Sequence, residues 1–413
     1  HELRTEGISG MREKARARRE YAALFPGKTL RADAFAPVEL LVKQFNAQPA
    51  APKISIVVPL YNTPLEFLEE LLDSVQNQTY QNWELCCVDA GQDAAVGQKV
   101  QDRAKADPRI RYQKLEKNEL IPGNTNHGIE MATGDYIALL DHDDILHPCA
   151  LWYTAKAIAE QYMPTAAGNE LPSDVIGAVV GIAERAFNMV GAYKLGFQPT
   201  RSQDPYGLRR AIRCINEILW GLRLDLDLEA LLAFIAQDLE VGGEALSSLL
   251  DFIRQRTLIQ LKEKEYGHEL IELALSVTGS RPLQTLYLLG AFAEVKQEDW
   301  FTKLVNSAVR VKNILAKAEG VSSSVDPSLC VKEAEKDLYA AVNEAEKPVE
   351  AALRKNDWNG LMNVLAQLSP AVSAFFDDVM VMDEDAAVRA NRLALLSHCQ
   401  NLFMRVGDLS KVK

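Results

Sequence analysis

No two cysteines in this 413-residue chain make a CxxC, and none sits with a histidine at zinc-like spacing. The six thiols (Cys86, Cys87, Cys149, Cys214, Cys330 and Cys399) therefore argue against a zinc module, and read as reduced, partly buried side chains of a cytoplasmic protein. No apolar run looks long enough to cross a bilayer and no signal peptide is visible, so no membrane contact is expected. Cations are in deficit too. With 45 Lys and Arg against 57 Asp and Glu, the net charge is −12, which excludes wholesale adsorption to nucleic acid or anionic membrane. Any RNA contact has to use local basic patches. Internal repeats are absent. The chain opens on His1 rather than Met, so its true N-terminus is expected to be missing, with Met11 an alternative start.

What is present is an ordinary globular composition, 48% hydrophobic and 25% charged, with length for two or three domains. Residues 11 to 25 are basic and alanine-rich and predict a short solvated helix, followed by a linker ending Gln48-Pro49-Ala50-Ala51-Pro52. From residue 53 strands and helices alternate. Ile54 to Val58 is a β-branched run ended by Pro59, and helices are expected over 64–77, 94–106 and 125–131. Further strands are expected over 83–88, 110–115 and 136–140, which together imply a parallel α/β sheet with ligands at the carboxyl ends of its strands. Those ends carry Asn62, Asp89 and the run Asp141-His142-Asp143-Asp144. Three acids within four residues need a counterion, and oxygen ligands of this kind suit Mg2+ or Mn2+ shared with a phosphate. The bland alternative is an N-cap followed by a solvated acidic turn.

From Leu171 onward the pattern is helical nearly throughout. Asp204 is placed as an N-cap with Pro205 at the first helical position, and Leu208, Ile212, Ile215 and Leu219 recur as one apolar stripe. Arg209, Arg210 and Arg213 stay off that stripe, Arg213 four residues before Glu217. Asp326-Pro327 and Ser369-Pro370 predict further helix starts, and Asp357 another cap. Leu361, Leu365 and Leu368 predict one inward stripe and Leu395, Cys399, Leu402 and Val406 another, leaving Arg389, Arg392 and Arg405 for solvent. Met380 and Met382 read as core filler.

Two resemblances give this pattern a meaning. The segment Pro199-Thr-Arg-Ser-Gln-Asp-Pro-Tyr-Gly-Leu-Arg-Arg210 resembles the PTGSxDPxxLRR signature of the bacterial glycyl-tRNA synthetase beta subunit. So do Tyr162-Met-Pro164, Gly168-Asn-Glu-Leu-Pro172, Phe375 to Asp385, Arg389 to Leu396 and Gly407 to Ser410, over about residues 158 to 413. Arg201 stands where that family usually has glycine, and Ala183-Glu-Arg-Ala-Phe-Asn188 where it typically reads Ala-Asp-Lys-x-Asp. The resemblance implies an HD-like helical domain over 158–283, a helical anticodon-binding domain over 284–413, glycine tRNA as partner and the separate alpha subunit as a second. ATP is then used by that alpha subunit and not bound here. Arg209, Arg210, Arg389 and Arg392 are the arginines it offers to tRNA. The one His-Asp pair, His142-Asp143, lies outside this region, so no phosphohydrolase activity is expected.

Residues 53 to about 155 resemble the family 2 glycosyltransferases of GT-A fold, through Val57-Val-Pro-Leu-Tyr-Asn62, Asp89 to Asp93, Gly123-Asn-Thr-Asn126 and Thr133 to Asp144. That likeness implies nucleotide-sugar contacts at Pro59, Tyr61, Asn62, Asp89 and Asp141, and a metal on Asp141, Asp143 and Asp144. Leu120 replaces an expected glycine. The acceptor half and its catalytic carboxylate are missing, so no catalytic residue is assigned and no transfer is expected. The whole reads as a helix-and-linker segment (1–52), a partial GT-A domain (53–157) and the two helical domains, a chimera joined near Ala155 to Gln161. Two other readings compete: a glycosyltransferase with a helical tail, and a helical interaction protein without activity.

Overall fold

The computed structural model describes residues 52–413 apart from Arg201, Ser202, Glu319, Ser323 and Lys413. The basic helix expected over 11–25 lies outside the described residues, as do most of the linker and Arg201. The chain divides into two compact units, 1–159 and 160–413. The first is α/β and the second all-helical, as the residue pattern implies.

In the first unit, strands β1 (Ile54–Leu60), β2 (Trp83–Asp89), β3 (Ile110–Lys114) and β4 (Tyr136–Leu139) form one parallel sheet in the order β3-β2-β1-β4. Helices α1 (Leu65–Gln76), α2 (Ala94–Ala106) and α3 (Leu120–Met131) make the crossovers, and α4 (Ala150–Glu160) follows. Pro59 does not end β1. Pairing to β4 stops at Val57, so beyond it that side of β1 is already an edge, where a residue without an N–H is tolerated. Leu60 then aligns with Asp89, putting both strand ends level.

The buried Glu84 carboxylate knits the sheet together. It accepts from Ser55 Oγ at 2.6 Å on β1, from Lys53 Nζ at 2.8 Å and from the Thr133 hydroxyl at 2.9 Å ahead of β4, and it also accepts the Thr133 N–H. Burial alone would raise its pKa, but these donors outweigh that cost and hold it down at about 2. The outer strand contrasts with this interior. Tyr136, Ile137 and Leu139 of β4 are exposed, because the sheet stops there and nothing among the described residues pairs with its outer edge. Ile129 and Ile145 are exposed as well, giving an apolar rim. Helix α3 starts five residues earlier than expected, at Leu120, whose φ of +64° is a conformation glycine adopts freely and leucine does not.

The second unit holds α5 (Val175–Lys194), α6 (Leu208–Gly221), α7 (Leu228–Asp238), α8 (Gly243–Glu263), α9 (His268–Thr278), α10 (Pro282–Val295), α11 (Asp299–Leu315), α12 (Glu333–Lys355), α13 (Trp358–Asp378) and α14 (Ala386–Phe403). Helices α5 to α8 close one apolar core around Met189, Ile212, Leu219, Leu232 and Ile253. A second core runs from Leu261 on α8 through α9 to α14, centred on Phe292, Leu338, Phe375 and Leu396. Residues 283 and 284, between the two expected domains, both fall inside α10. Contrary to the expectation of no membrane-length run, α5 is long and apolar enough to cross a bilayer by length and composition. It carries Glu184 and Arg185 at its middle and contributes Ala178, Ile182 and Met189 to the first core.

Three local expectations need correction. Helix α6 begins at Leu208, not Pro205: Asp204 to Gly207 form a turn with Gly207 at φ +64°, and the Asp204 carboxylate reaches over it to accept from Leu208 N (2.8 Å) and Arg209 N (3.0 Å). Ser369-Pro370 starts no helix but lies inside α13, because the apolar stripe from Leu361 continues past the proline to Val372, Phe375 and Phe376. Met380 and Met382 are exposed, since in the extended segment after α13 it is Val379 and Val381 that turn inward.

Two outcomes follow for the first unit. Its apolar rim predicts that an isolated 1–159 fragment aggregates or binds a hydrophobic dye while 160–413 melts cooperatively alone; a monodisperse, cooperatively melting 1–159 fragment would contradict this. Because Glu84 titrates lower in the folded state, its contribution is complete above its ordinary value of 4.5 and lost as pH falls towards 2. The stability gap between wild type and Glu84→Gln, read by thermal melts, should therefore narrow as pH falls through that window, and a gap constant with pH would show that Glu84 does not carry it.

Candidate functional site

The carboxyl ends of β1 and β2 bring two of the expected nucleotide residues together. A Cβ built on Gly91 would stand 3.0 Å from Asn62 N and 3.2 Å from Asp89 Oδ1. Asn62 sits at φ +51°, and Tyr61 beside it is exposed. Asp89, though, is 1% exposed and already occupied. Its Oδ2 accepts from the Tyr112 hydroxyl (2.8 Å) and Lys114 Nζ (2.9 Å), and its Oδ1 from Gly91 N (2.8 Å). Burial and the neighbouring Asp89 push the Tyr112 hydroxyl pKa well up. Lys114, the counterion, escaped the sequence reading, although its place at the end of β3 opposite Asp89 was the signal to look for.

Asp141, Asp143 and Asp144 lie exposed after β4. Among the described residues no three acidic, histidine or cysteine side chains come close enough to hold a metal ion, so the expected Mg2+ or Mn2+ ligand set is not assembled. The carboxylate oxygens are of the kind that suits the ion but are not gathered at one point, and no chemical step is derived through it.

In the second unit, Arg185 of α5 is 9% exposed. Its guanidinium donates to the carbonyls of Gly181 (2.8 Å), Gln161 (3.1 Å), Tyr162 (2.7 Å), Met163 (3.4 Å) and Pro164 (3.2 Å), and no carboxylate pairs with it among the described residues. These bonds fix the Tyr162-Met163-Pro164 turn against α5 and form one wall of a cavity of about 350 Å3, whose other wall is Tyr206, Gly207, Leu208 and Arg210 at the start of α6.

The four arginines expected to meet tRNA part company. Arg209 turns inward and donates to the Thr200 carbonyl, locking the loop before α6. Arg210 is exposed on the cavity wall and makes no hydrogen bond or ion pair with the other described residues. Arg389 is half-buried and donates to the Asp383 carbonyl at 2.7 Å. Arg392, expected in solvent, is 4% exposed. It pairs with the buried Glu335 of α12, and with Asp383 at 2.6 Å and the Met380 carbonyl at 2.8 Å. Burial would lower its pKa, but these partners raise it.

The family model described as glycyl-tRNA synthetase beta subunit matches residues 153–276, and that of the DALR anticodon binding domain matches 304–412. The helical unit is similar to the glycyl-tRNA synthetase beta subunit. Residues 55–163 match glycosyl transferase family 2, so the two matches overlap over 153–163. Among curated relatives, the glycine–tRNA ligase beta subunit of Pseudomonas aeruginosa is 38% identical over 264 residues, 62% of this chain and 38% of the relative. That of Desulforudis audaxviator is 33% identical over 323 residues, 77% and 46%, and that of Marinobacter nauticus 31% identical over 377, 88% and 53%. The chain thus spans about half the length of these relatives or less. Solved structures similar to it include S. aureus TarS, 28% identical over 27% of this chain and 20% of that one at TM-score 0.24. Another is a Pyrobaculum calidifontis mannosyltransferase in complex with GDP-Man and Mn2+, 16% identical over 52% and 86% at TM-score 0.25. Neither superposition carries an argument.

The synthetase-like motifs acquire structural work. Tyr162 to Pro164 supplies carbonyls to Arg185, Asp383 anchors Arg392, and Asp385 caps α14 by accepting from Ala387 N at 2.7 Å and Val388 N. Glu184, Arg185 and Asn188, in the segment that departs from the beta subunit pattern, all line the cavity. Removing the Arg392 guanidinium would leave Glu335 as a buried, uncompensated carboxylate, a loss of roughly 3–5 kcal/mol. Arg392→Ala should therefore lower the denaturation midpoint of 160–413 sharply, while Arg405→Ala, at an exposed site, should not; equal midpoints would contradict the buried pairing.

Proposed function

We propose that residues 160–413 bind glycine tRNA as the C-terminal part of a glycyl-tRNA synthetase beta subunit, in the cytoplasm and beside a separate alpha subunit that activates glycine with ATP. The supporting observation is that the beta subunit and DALR anticodon binding domain matches fall on one helical unit in consecutive order. Exposed Arg405 and half-buried Arg389 are the phosphate contacts on the anticodon-binding side, and Arg210 on the other. Arginine suits this work because its planar fork donates two parallel hydrogen bonds to phosphate. Arg392 is left out, since its guanidinium is consumed by Glu335 and Asp383.

A second reading, favoured by the family 2 match over 55–163, gives the first unit residual nucleotide-sugar binding at Pro59, Tyr61, Asn62, Asp89 and Asp141 without transfer. For it to hold, Asp89 must exchange a donor it already has for a ligand hydroxyl or base edge. Titration calorimetry of a UDP-sugar against wild type and Asp89→Asn separates this reading from a vestigial sheet.

An acidic protein that neutralises few phosphates should bind tRNA modestly, with affinity falling as salt rises. Each arginine removed from a phosphate should flatten the log–log salt slope by a little under ~1. Filter binding across a salt series, using the full chain, is expected to show a flatter slope for Arg389→Ala plus Arg405→Ala at unchanged circular dichroism. No preference of the wild-type chain for glycine tRNA over an unrelated tRNA would overturn the reading.

A further inference from the structure

We infer that the cleft between α5 and α6 is a binding site for a mononucleotide unit, its phosphate held at Arg210 and its base laid on the aromatic platform beside it. The phosphate end is built for charge. The cavity of about 350 Å3 holds two arginines, Arg185 and Arg210, against one carboxylate, Glu184. Among the described residues Arg185 meets carbonyls and the Cys214 thiol but no carboxylate, so no paired anion cancels its positive charge on the cavity wall. Arg210 pairs with no other described residue, the start of α6 being held by Asp204 and Arg209 instead. In a chain of net charge −12, a positively biased cavity with an exposed arginine on its wall is a local exception.

The base end adjoins it. A second cavity, of about 370 Å3, shares Asn188, Tyr206 and Leu208 with the first and is otherwise apolar, with Phe187 and Phe197 on its walls. The Tyr206 and Phe197 rings lie 4.9 Å apart at an interplanar angle of 39°, and both are exposed together with Phe187 and Tyr162. Tyr162 lines the first cavity, Phe187 and Phe197 the second, and Tyr206 both, so exposed rings flank the two adjoining cavities. Unpaired bases stack on such rings, and each stack contributes roughly 1–3 kcal/mol. Asn188, on the boundary of the two cavities, offers the amide that reads a base edge or a ribose hydroxyl; its amide donates to Glu184. A cationic pocket joined to an aromatic shelf through one polar residue matches a phosphorylated nucleoside better than a bare anion or an apolar ligand. The source is either a free nucleotide or an unpaired nucleotide of an RNA strand. The second source rests on the tRNA reading; the site itself does not.

The test uses the full chain and adenosine 5′-monophosphate, adenosine and inorganic phosphate as calorimetric probes, with Arg210→Gln, Tyr206→Ala and, as a control remote from the cleft, Arg354→Gln. The expected result is that the monophosphate binds more tightly than adenosine or phosphate. Arg210→Gln should weaken it about tenfold or more, the loss of a charge-assisted hydrogen bond, while barely changing adenosine. Tyr206→Ala should weaken both nucleoside ligands, and Arg354→Gln should change nothing. Competition by tRNA assigns the site to an RNA nucleotide, and lack of competition assigns it to a free one. Absence of monophosphate binding at millimolar concentration, equal binding of inorganic phosphate, or an unchanged affinity in Arg210→Gln overturns the inference. Because tRNA binding is measured separately by filter assay, a chain that binds tRNA but no monophosphate refutes the cleft and leaves the tRNA reading standing. The reverse pattern does the opposite.

Discussion

A guanidinium taken out of water must be given hydrogen-bond acceptors in place of its hydration shell, and Arg185 meets that demand with backbone carbonyls. Much of the first half of the helical unit follows from this one demand. Four of the acceptors lie in consecutive residues, so the chain from Gln161 to Pro164 has to stay wrapped around the middle of α5. The backbone must come close enough to allow it. A Cβ on Gly181 would sit 2.5 Å from the Gln161 carbonyl oxygen and 2.8 Å from Arg185 Nη1. Gly177 and Gly221 face the same restriction, the one against Glu160 and the other against Leu171. The segment 160–173 is thus clamped over α5 and α6, and the clamp shapes the cavity that Arg210 overlooks.

The sheet unit answers the same problem with opposite charge. Glu84 is a buried anion satisfied by donors from two separate stretches, and Asp89 is satisfied by a tyrosine, a lysine and a backbone amide. In both units a buried charge therefore sets local geometry. The difference lies in what remains open. At the end of β2 the charge of Asp89 is spent internally, whereas the cleft between α5 and α6 keeps an exposed arginine that pairs with no other described residue.

The strands and crossover helices were legible because alternation, β-branched runs and caps are local signals; the 94–106 helix is found as expected, with Asp93 capping it at 2.9 Å. The inward stripes of α6, α13 and α14 were legible for the same reason. Pairing was not. Periodicity assigns Arg392 to a face of α14 but says nothing of Glu335, which lies 57 residues earlier in the chain. The same holds for Lys114 on Asp89 and for the carbonyls on Arg185. Proline misled at residue 370 because a helix with a strong enough apolar stripe survives the loss of one internal bond. The cleft had no sequence signal of its own: its walls come from three segments, each accounted for by capping or packing.

The bare outer edge of β4 has a consequence in time rather than space. During synthesis the sheet unit leaves the ribosome before the helices do, and at about 5–20 residues per second the remaining 160–413 stretch takes on the order of tens of seconds to appear. Tyr136, Ile137 and Leu139 face water from that moment on and still do in the complete chain, beside backbone groups that pair with nothing among the described residues. Neighbouring nascent chains on one messenger would present the same template to each other, so edge-to-edge association competes with folding as soon as the sheet unit emerges.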